Sequence, residues 1–398
     1  MFRFGITQPA ASRERRVRIE PAQRASRQAP HADPGRVEPA SGRTEVVIHD
    51  NEIPAFAGPE LDRLYGTLYS SLSYFRTCGG LDGASTYAAR RNDEIRALFL
   101  FRRDAHKVTV INEGMRVPAE EICRFARHMF FAYPSVRQVH FHAVQPDRGD
   151  IPMLHQRFFC SEDFITTLPA TQDAFLARLG PATRKNLKRH RNRLERDFPD
   201  FCYRVHERGD ATEADIRTIL ELNRQRMAVK GMATYINEEE AQSIVRLVQC
   251  CGAALVATIG GRICGGTLMY RIGENHLSKV NAHDPAYDDY RLGMLCCYLA
   301  ISEAIACGAR HFHLGHTHYD YKTALLGQWQ RFDHIAIYRS PLALLGSGRD
   351  ALKIARDGYK LRATRWFTDN ANRKHSVPWR LARKLLEVRR TTKRRLQA

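Results

Sequence analysis

Nowhere in this chain of 398 residues is there an apolar run long enough to span a bilayer, which excludes a transmembrane helix. The N-terminus carries arginines but lacks the compact apolar segment of a secretory signal. The expected location is therefore cytoplasmic, with a peripheral station at the inner membrane face compatible with it. The ten cysteines show no CxxC spacing: they are scattered (Cys78, Cys123, Cys160, Cys202, Cys264, Cys307) or adjacent (Cys250-Cys251, Cys296-Cys297). That pattern excludes a disulfide scaffold and a zinc ribbon, and no metal is expected. The globular body also lacks net charge. The formal excess of +19 resides in residues 1–45 (nine Arg against five acids), 184–196 (seven bases against one acid) and 373–398 (ten bases against one). General polyanion binding by the body is excluded, and contact with tRNA or an anionic membrane is assigned to the basic segments 184–196 and 373–398.

What is present is a long organised stretch, Ala253 to Gly327. It begins with strand Ala253–Ile259, a Gly260-Gly261 turn suited to φ > 0, and a second strand Arg262–Ile272. A third strand, Asn275–His283, alternates Val280 and Ala282 with Lys279, Asn281 and His283, and is broken by Asp284-Pro285. The apolar run Gly293–Cys307 predicts a buried helix closed at Gly308, and His311–Leu314 a short strand. A strand, a buried helix and a strand at this spacing place the two strands parallel.

This order resembles the GNAT acyltransferase superfamily, and specifically its FemAB-like branch. The resemblance rests on Asn281-Ala282-His283-Asp284-Pro285-Ala286-Tyr287, the loop ending at Gly293, and Tyr319-Asp320-Tyr321-Lys322. It implies an α/β (α+β) fold of tandem GNAT-like domains with mixed central sheets flanked by helices. Residues 1–44 are expected to be a disordered basic segment. Residues 45–168 then form a degenerate GNAT-like domain, with strands at Val46–His49, Thr86–Arg90, Ile95–Phe101, Lys107–Ile111 and Val136–His142 and helices at Leu61–Tyr74 and Glu120–Phe131. A basic linker helix spans 169–200, where Phe175-Leu176 followed by Arg184-Lys185 and Leu187-Lys188-Arg189 matches the branch; it is either a solvated joint or a seat for a phosphate-bearing ligand. The catalytic domain is 201–340, completed by strand Ile335–Tyr338, and 341–398 is a basic helical extension whose last helix starts at Pro378.

The implied activity is N- or O-acyl transfer from acyl-CoA, with acetyl-CoA the first choice, to an amine or hydroxyl of a cell-envelope, polysaccharide or small-molecule acceptor. Two alternatives stand beside it: an aminoacyl-tRNA-dependent peptidoglycan transferase, and a non-catalytic GNAT-like binding protein. The donor is expected in the splay between the third strand and His311–Leu314, against Val280 and Asn281, with its pyrophosphate on the helix start at Arg291, Leu292, Gly293 and Met294. The family's phosphate loop is only partly matched, by Arg291 and Gly293. Tyr319 and Tyr321 are candidates for the acid that protonates the leaving thiolate, Lys322 for the cation at the oxyanion, and His283, Asp284 or Asp320 for the base. The bland reading is that the tyrosines are core and the aspartates cap turns. His311, His313, His316 and His318 could gather a metal, but no carboxylate is spaced to complete a site, so they are expected to line a polar cleft. The loop Lys230–Tyr235 is expected across the acceptor side.

Overall fold

The computed structural model describes residues 44–147, 149–229, 236–317 and 319–371. The N-terminal segment 1–43, the loop 230–235, His318, the helix expected from Pro378 and the basic segment 373–398 lie outside the described residues. The first half comprises β1 (Glu45–His49), α1 (Ala57–Tyr65), α2 (Leu72–Cys78), β2 (Ser85–Arg91), β3 (Glu94–Arg103), β4 (Lys107–Val110), β5 (Met115–Val117), α3 (Ala119–Ala132), β6 (Gln138–Pro146) and β7 (His155–Thr167). Two helices, α4 (Gln172–Arg178) and α5 (Pro181–Asp197), lead into the second half. There follow β8 (Cys202–Glu207), α6 (Glu213–Val229), α7 (Glu238–Cys251), β9 (Gly252–Ile259), β10 (Arg262–Ile272), β11 (Asn275–His283), α8 (Leu292–Ala306), β12 (His311–His313), α9 (Asp320–Ala324) and β13 (Gln328–Tyr338). The described chain ends in α10 (Pro341–Gly346) and α11 (Gly348–Ala371).

Local chemistry sets these elements. The Gly260-Gly261 turn has φ of 59° and 71°, the left-handed geometry that joins β9 to β10 without splaying them. Helix α7 starts where the Asn237 side chain accepts the Glu240 N–H at 2.8 Å, and Glu238, Glu239 and Glu240 complement its dipole. Helix α8 is buried on nearly all sides, which explains its continuous apolar sequence.

The strands form one sheet rather than two, in the order β1-β2-β3-β4-β6-β13-β7-β12-β11-β10-β9-β8, with β5 also pairing β6. Read from either end, four antiparallel strands lead to a parallel joint, β4–β6 in one half and β11–β12 in the other. Beyond the joints the halves exchange strands. β7 follows β6 in the chain yet pairs with β12, and β13 follows β12 yet pairs with β6. β7 and β13 then pair antiparallel with each other from Gln328↔Ile165 to Ile337↔His155. The sequence reading had Ile335–Tyr338 finishing the second domain and no strand over 155–167; both β7 and the longer β13 sit at the centre. β5 and β8 were likewise not anticipated.

Each half packs a helix on one face through an aromatic or apolar cluster. In the first, Tyr87, Phe99, Phe101 and Phe141 surround Phe125 of α3, with edge-on ring contacts of 4.9–5.6 Å. In the second, α8 packs on Ala253, Leu255 and Phe312 together with α4 and α5. The opposite face carries α6 and α7, which share a core with Leu68 of the first half. A short repeat becomes visible only in this frame. His140-Phe141-His142 on β6 and His311-Phe312-His313 on β12 occupy matching places, each phenylalanine buried under its own helix.

Candidate active site

The two parallel joints differ. β4 and then β5 both hydrogen-bond β6, along Lys107–Val110 and again along Met115–Val117, so the first joint is closed. β11 pairs with β12 only at Asn275–Leu277, and from Ser278 onward its edge is open. At the same point β11 bulges: Leu268 of β10 faces Val280 and Met269 faces Ser278, leaving Lys279 as the extra residue. A bulge bends a strand and frees backbone groups from the ladder.

A cavity of about 560 Å³ fills the splay. Ser278, Lys279, Val280 and Asn281 form one wall, and His313 through Thr317 with Tyr319, Tyr321 and Lys322 form another. α6 adds Asn223, Arg226 and Met227, and the first half adds Thr67, Tyr69, Glu113, Gly114 and Ala143. β7 contributes Ser161, Glu162 and Asp163.

Lys322 is 2% exposed, and its ammonium donates to the carbonyls of Gly315 at 2.7 Å and His316 at 2.5 Å. Burial lowers its pKa from 10.5 to about 8, partly offset by the Asp163 carboxylate. His313 lies beside it. Its Nδ1 is 2.6 Å from Asp163 Oδ2, while Asp163 Oδ1 accepts the Phe164 and Gly315 N–H groups at 2.8 and 2.9 Å. A carboxylate so fixed holds the imidazole with Nδ1 as donor and leaves Nε2 as the acceptor nitrogen. The Tyr319 and Tyr321 rings stack with centroids 6.0 Å apart, and burial raises the Tyr321 pKa well above the usual range, so that phenol keeps its proton. Among the described residues, Arg226 Nε is buried without a hydrogen-bond partner.

Of the residues singled out in the sequence, Val280, Asn281, Tyr319, Tyr321 and Lys322 meet at this cavity. His283, Asp284, Asp320 and the helix start at Arg291–Met294 do not line it. His283 binds Asp288 through Nε2 at 2.6 Å, and its ring packs on Gly293, where a Cβ would come within 2.6 Å of Nδ1. Asp284 caps the following turn by accepting the Ala286 N–H at 2.9 Å, and Asp320 is exposed at the start of α9. Asn281 links the two places: Nδ2 donates to the Gly293 carbonyl at 2.8 Å while the residue faces the cavity. Around the α8 start, Arg291 and the α5 residues Arg189 and Arg193 stand close enough to lower the pKa of His190, after the larger effect of its desolvation. Of the four clustered histidines, His313 and His316 reach the cavity, and His311 instead bonds Asn275 at 3.2 Å. Among the described residues no group of three or more His, Cys, Asp or Glu side chains could hold a metal. Asp163 was not foreseen; nothing local to it signals a partner 150 residues away.

Residues 181–323 match the family profile of the acetyltransferase (GNAT) domain. The chain carries a GNAT acyltransferase domain. Its fold is similar to that of FemX, with a TM-score of 0.55 at 12% identity, over 76% of this chain and 99% of that one. It also shows likeness to L-PGS from Bacillus licheniformis (TM-score 0.44, 14% identity, 77% and 98% covered). A tandem GNAT protein of the clavulanic acid pathway gives 0.37 at 10% identity, with 75% and 99% covered. No curated protein sequence matches the chain. The GNAT match begins at α5 and stops within α9, so Asp163 on β7 and all of β13 lie outside it. No helix among the described residues is long and apolar enough to cross a membrane.

Proposed function

We propose that this GNAT acyltransferase moves an acyl group, acetyl being the first choice, from acyl-CoA to an amine or hydroxyl acceptor of the cell envelope, polysaccharide or small-molecule type. The observation that carries this reading is the open β11–β12 splay with a buried ammonium and a His–Asp pair side by side on its walls. The donor's pyrophosphate is assigned to the α8 start, where helix N–H groups and Arg291, Arg189 and Arg193 favour an anion. Its acyl arm passes Asn281 into the splay. The acceptor enters between α6, which brings Arg226, and the first half, which brings Tyr69 and the Glu113 carboxylate already paired with His142.

In this scheme His313 Nε2 takes the acceptor's proton as it attacks the thioester carbonyl, with Asp163 stabilising the imidazolium. Lys322 faces the negative charge that develops on the carbonyl oxygen. The tetrahedral intermediate expels the CoA thiolate, to which Tyr319 supplies a proton, while the Tyr321 phenol stacked beside it keeps its own. His283, Asp284 and Asp320, the bases favoured on sequence, become the less supported choice because none borders the cavity. The first half, residues 45–168, serves as a GNAT-like copy that walls the acceptor side without a splay of its own, joined through the linker 169–200 to the catalytic half 201–340.

The test is calorimetric titration with acetyl-CoA, on the wild type and on Arg193→Glu/Arg291→Glu, followed by release of CoA thiol against a panel of amines and sugars. Saturable binding weakened about tenfold by the double variant supports the seat. Absence of acetyl-CoA binding overturns the donor assignment. One observation keeps a second donor in view: Arg184, Lys185, Lys188 and Arg189 are exposed along α5, next to the α8 start. An aminoacyl-tRNA would use that strip, and its binding would weaken steeply with salt.

A further inference from the structure

A second cavity, of about 390 Å³, lies under α11 and adjoins the first at the contact of Glu113, which lines the first, with His142, which lines the second. Cys160 and His142 both line it, together with Lys107, Lys353, His140 and His334, and with Asp350 and Asp357 of α11. Two irregular strands deliver the pair. Phe332 faces Ser161 and Asp333 faces Phe159, so Cys160 is the extra residue of a bulge in β7. On β6, Ala143 takes a φ of 48° where Val144 faces Asp333 and Phe141 faces Ile335, a second bulge beside His142. Bulges re-aim side chains, and a non-glycine residue held at positive φ marks backbone under strain.

The result is a chain of three groups. Glu113 Oε1 is 2.9 Å from His142 Nδ1, and the Cys160 thiol, which donates to the Phe332 carbonyl at 3.6 Å, faces the same cavity close enough to act on the charge of that ring. We propose that Cys160, His142 and Glu113 form a second nucleophilic site, in which the Cys160 thiol takes an acyl group from a small thioester to give a covalent S-acyl protein. This goes beyond the transfer assigned to the first cavity. Cys160 and then Glu113 favour the charged imidazolium, holding the His142 pKa up at about 10 against the opposing effect of burial. The Cys160 thiolate attacks the thioester carbonyl, the carbon–sulfur bond to the leaving group breaks, and the imidazolium proton passes to the departing thiolate. Atoms and charge balance: one thioester is exchanged for another, and a free thiol leaves. Lys107 and Lys353 place positive charge over the same space, against Asp350 and Asp357.

The test treats the full chain with S-acetyl-N-acetylcysteamine, then locates acetyl groups by peptide mass spectrometry and removes thioesters with neutral hydroxylamine. That probe has no nucleotide, so its reaction is independent of the donor seat at α8, and the two readings can fail separately. Cys78, Cys202, Cys250 and Cys307 are exposed and serve as internal standards in the same molecule. The expected result is hydroxylamine-labile acetylation at Cys160 at least about tenfold faster than at those four, absent in Cys160→Ala. It should be at least about a hundredfold slower in His142→Gln. Glu113→Gln, a milder change, should slow it less. Acetylation of wild-type Cys160 no faster than that of the exposed cysteines overturns the proposal without recourse to any variant, as does an unchanged rate in both His142→Gln and Glu113→Gln.

Discussion

The two halves of the sheet follow one plan and end in opposite states. In the first, the strand after β4 re-pairs with β6 and the joint is sealed; in the second, β11 bulges at Lys279, parts from β12 and opens a cavity. The same His-Phe-His segment stands on both last strands. On β12, His313 meets Asp163 at the open cleft; at the matching place on β6, His142 meets Glu113 at 2.9 Å, and its neighbour His140 is buried beside Gln138, 3.0 Å away. The difference teaches that a parallel joint opens a splay when its hydrogen bonds are withheld, whichever side chains the strand carries.

That contrast can be attacked directly. Removing the buried ammonium from the open joint, Lys322→Met, should lower kcat by about a thousandfold while acetyl-CoA binding changes little. If the ammonium is the acting form, the wild-type rate should fall as pH rises through about 8, the folded pKa of Lys322; a rate that rises there would assign it as a base instead. Asp163→Asn, which removes a carboxylate supplied by a strand of the first half, should cost about a hundredfold in kcat with the fold retained by circular dichroism. A loss no larger than that of a distant surface change would break the claim that the halves share one site.

At the closed joint, His140 should show itself in stability rather than turnover. His140 is 8% exposed, and burial lowers its pKa from 6.5 to about 3. A depressed folded pKa means that the unfolded chain binds the proton first as pH falls, so stability present above about 6.5 drains away below it. The loss from His140 should reach about 2 kcal/mol by pH 5. His140→Gln should flatten the urea midpoint between pH 7 and 5 by that amount, and an unflattened profile would place the histidine in water. The smallest effect is expected at Ala143. Its φ of 48° suits glycine, so Ala143→Gly should raise stability by about 0.5–1 kcal/mol in denaturant titrations. A loss there would mean that the methyl group packs better than the strain costs.

Legibility followed locality. The stretch from β9 to β12 could be read because each signal is short-range: the Gly260-Gly261 turn, the alternation of β11, the apolar α8. β7 could not, because its polar residues look like loop and are matched only by distant partners. Arg157 meets the buried Asp333 at 2.6 Å, Glu162 accepts from Trp329 at 2.7 Å, and Asp163 holds His313. The site divided in the same way. Lys322, Tyr319, Tyr321, Val280 and Asn281 belong to the matching stretch and reach the cavity, whereas Asp163 and Glu113 lie outside it, and Arg226, though inside it, is carried in on α6 with no spacing to announce it. His283 ends β11 and Asp284 follows it, both beyond Asn281, the last β11 residue to reach the cavity.

The exchange of β7 and β13 also dictates an order of assembly. β6 leaves the ribosome early with one edge waiting for a strand that ends at Tyr338, and β7 waits for β12. At about 5–20 residues per second, roughly ten to forty seconds pass between completion of β6 and arrival of β13. Neither half can close its own sheet in that interval, so a fragment ending before β13 would expose an unsatisfied edge at what becomes the middle of the molecule. The centre of this sheet closes after both of its flanks have been made, and the cleft whose wall includes Asp163 comes into being only once β12 has joined β7.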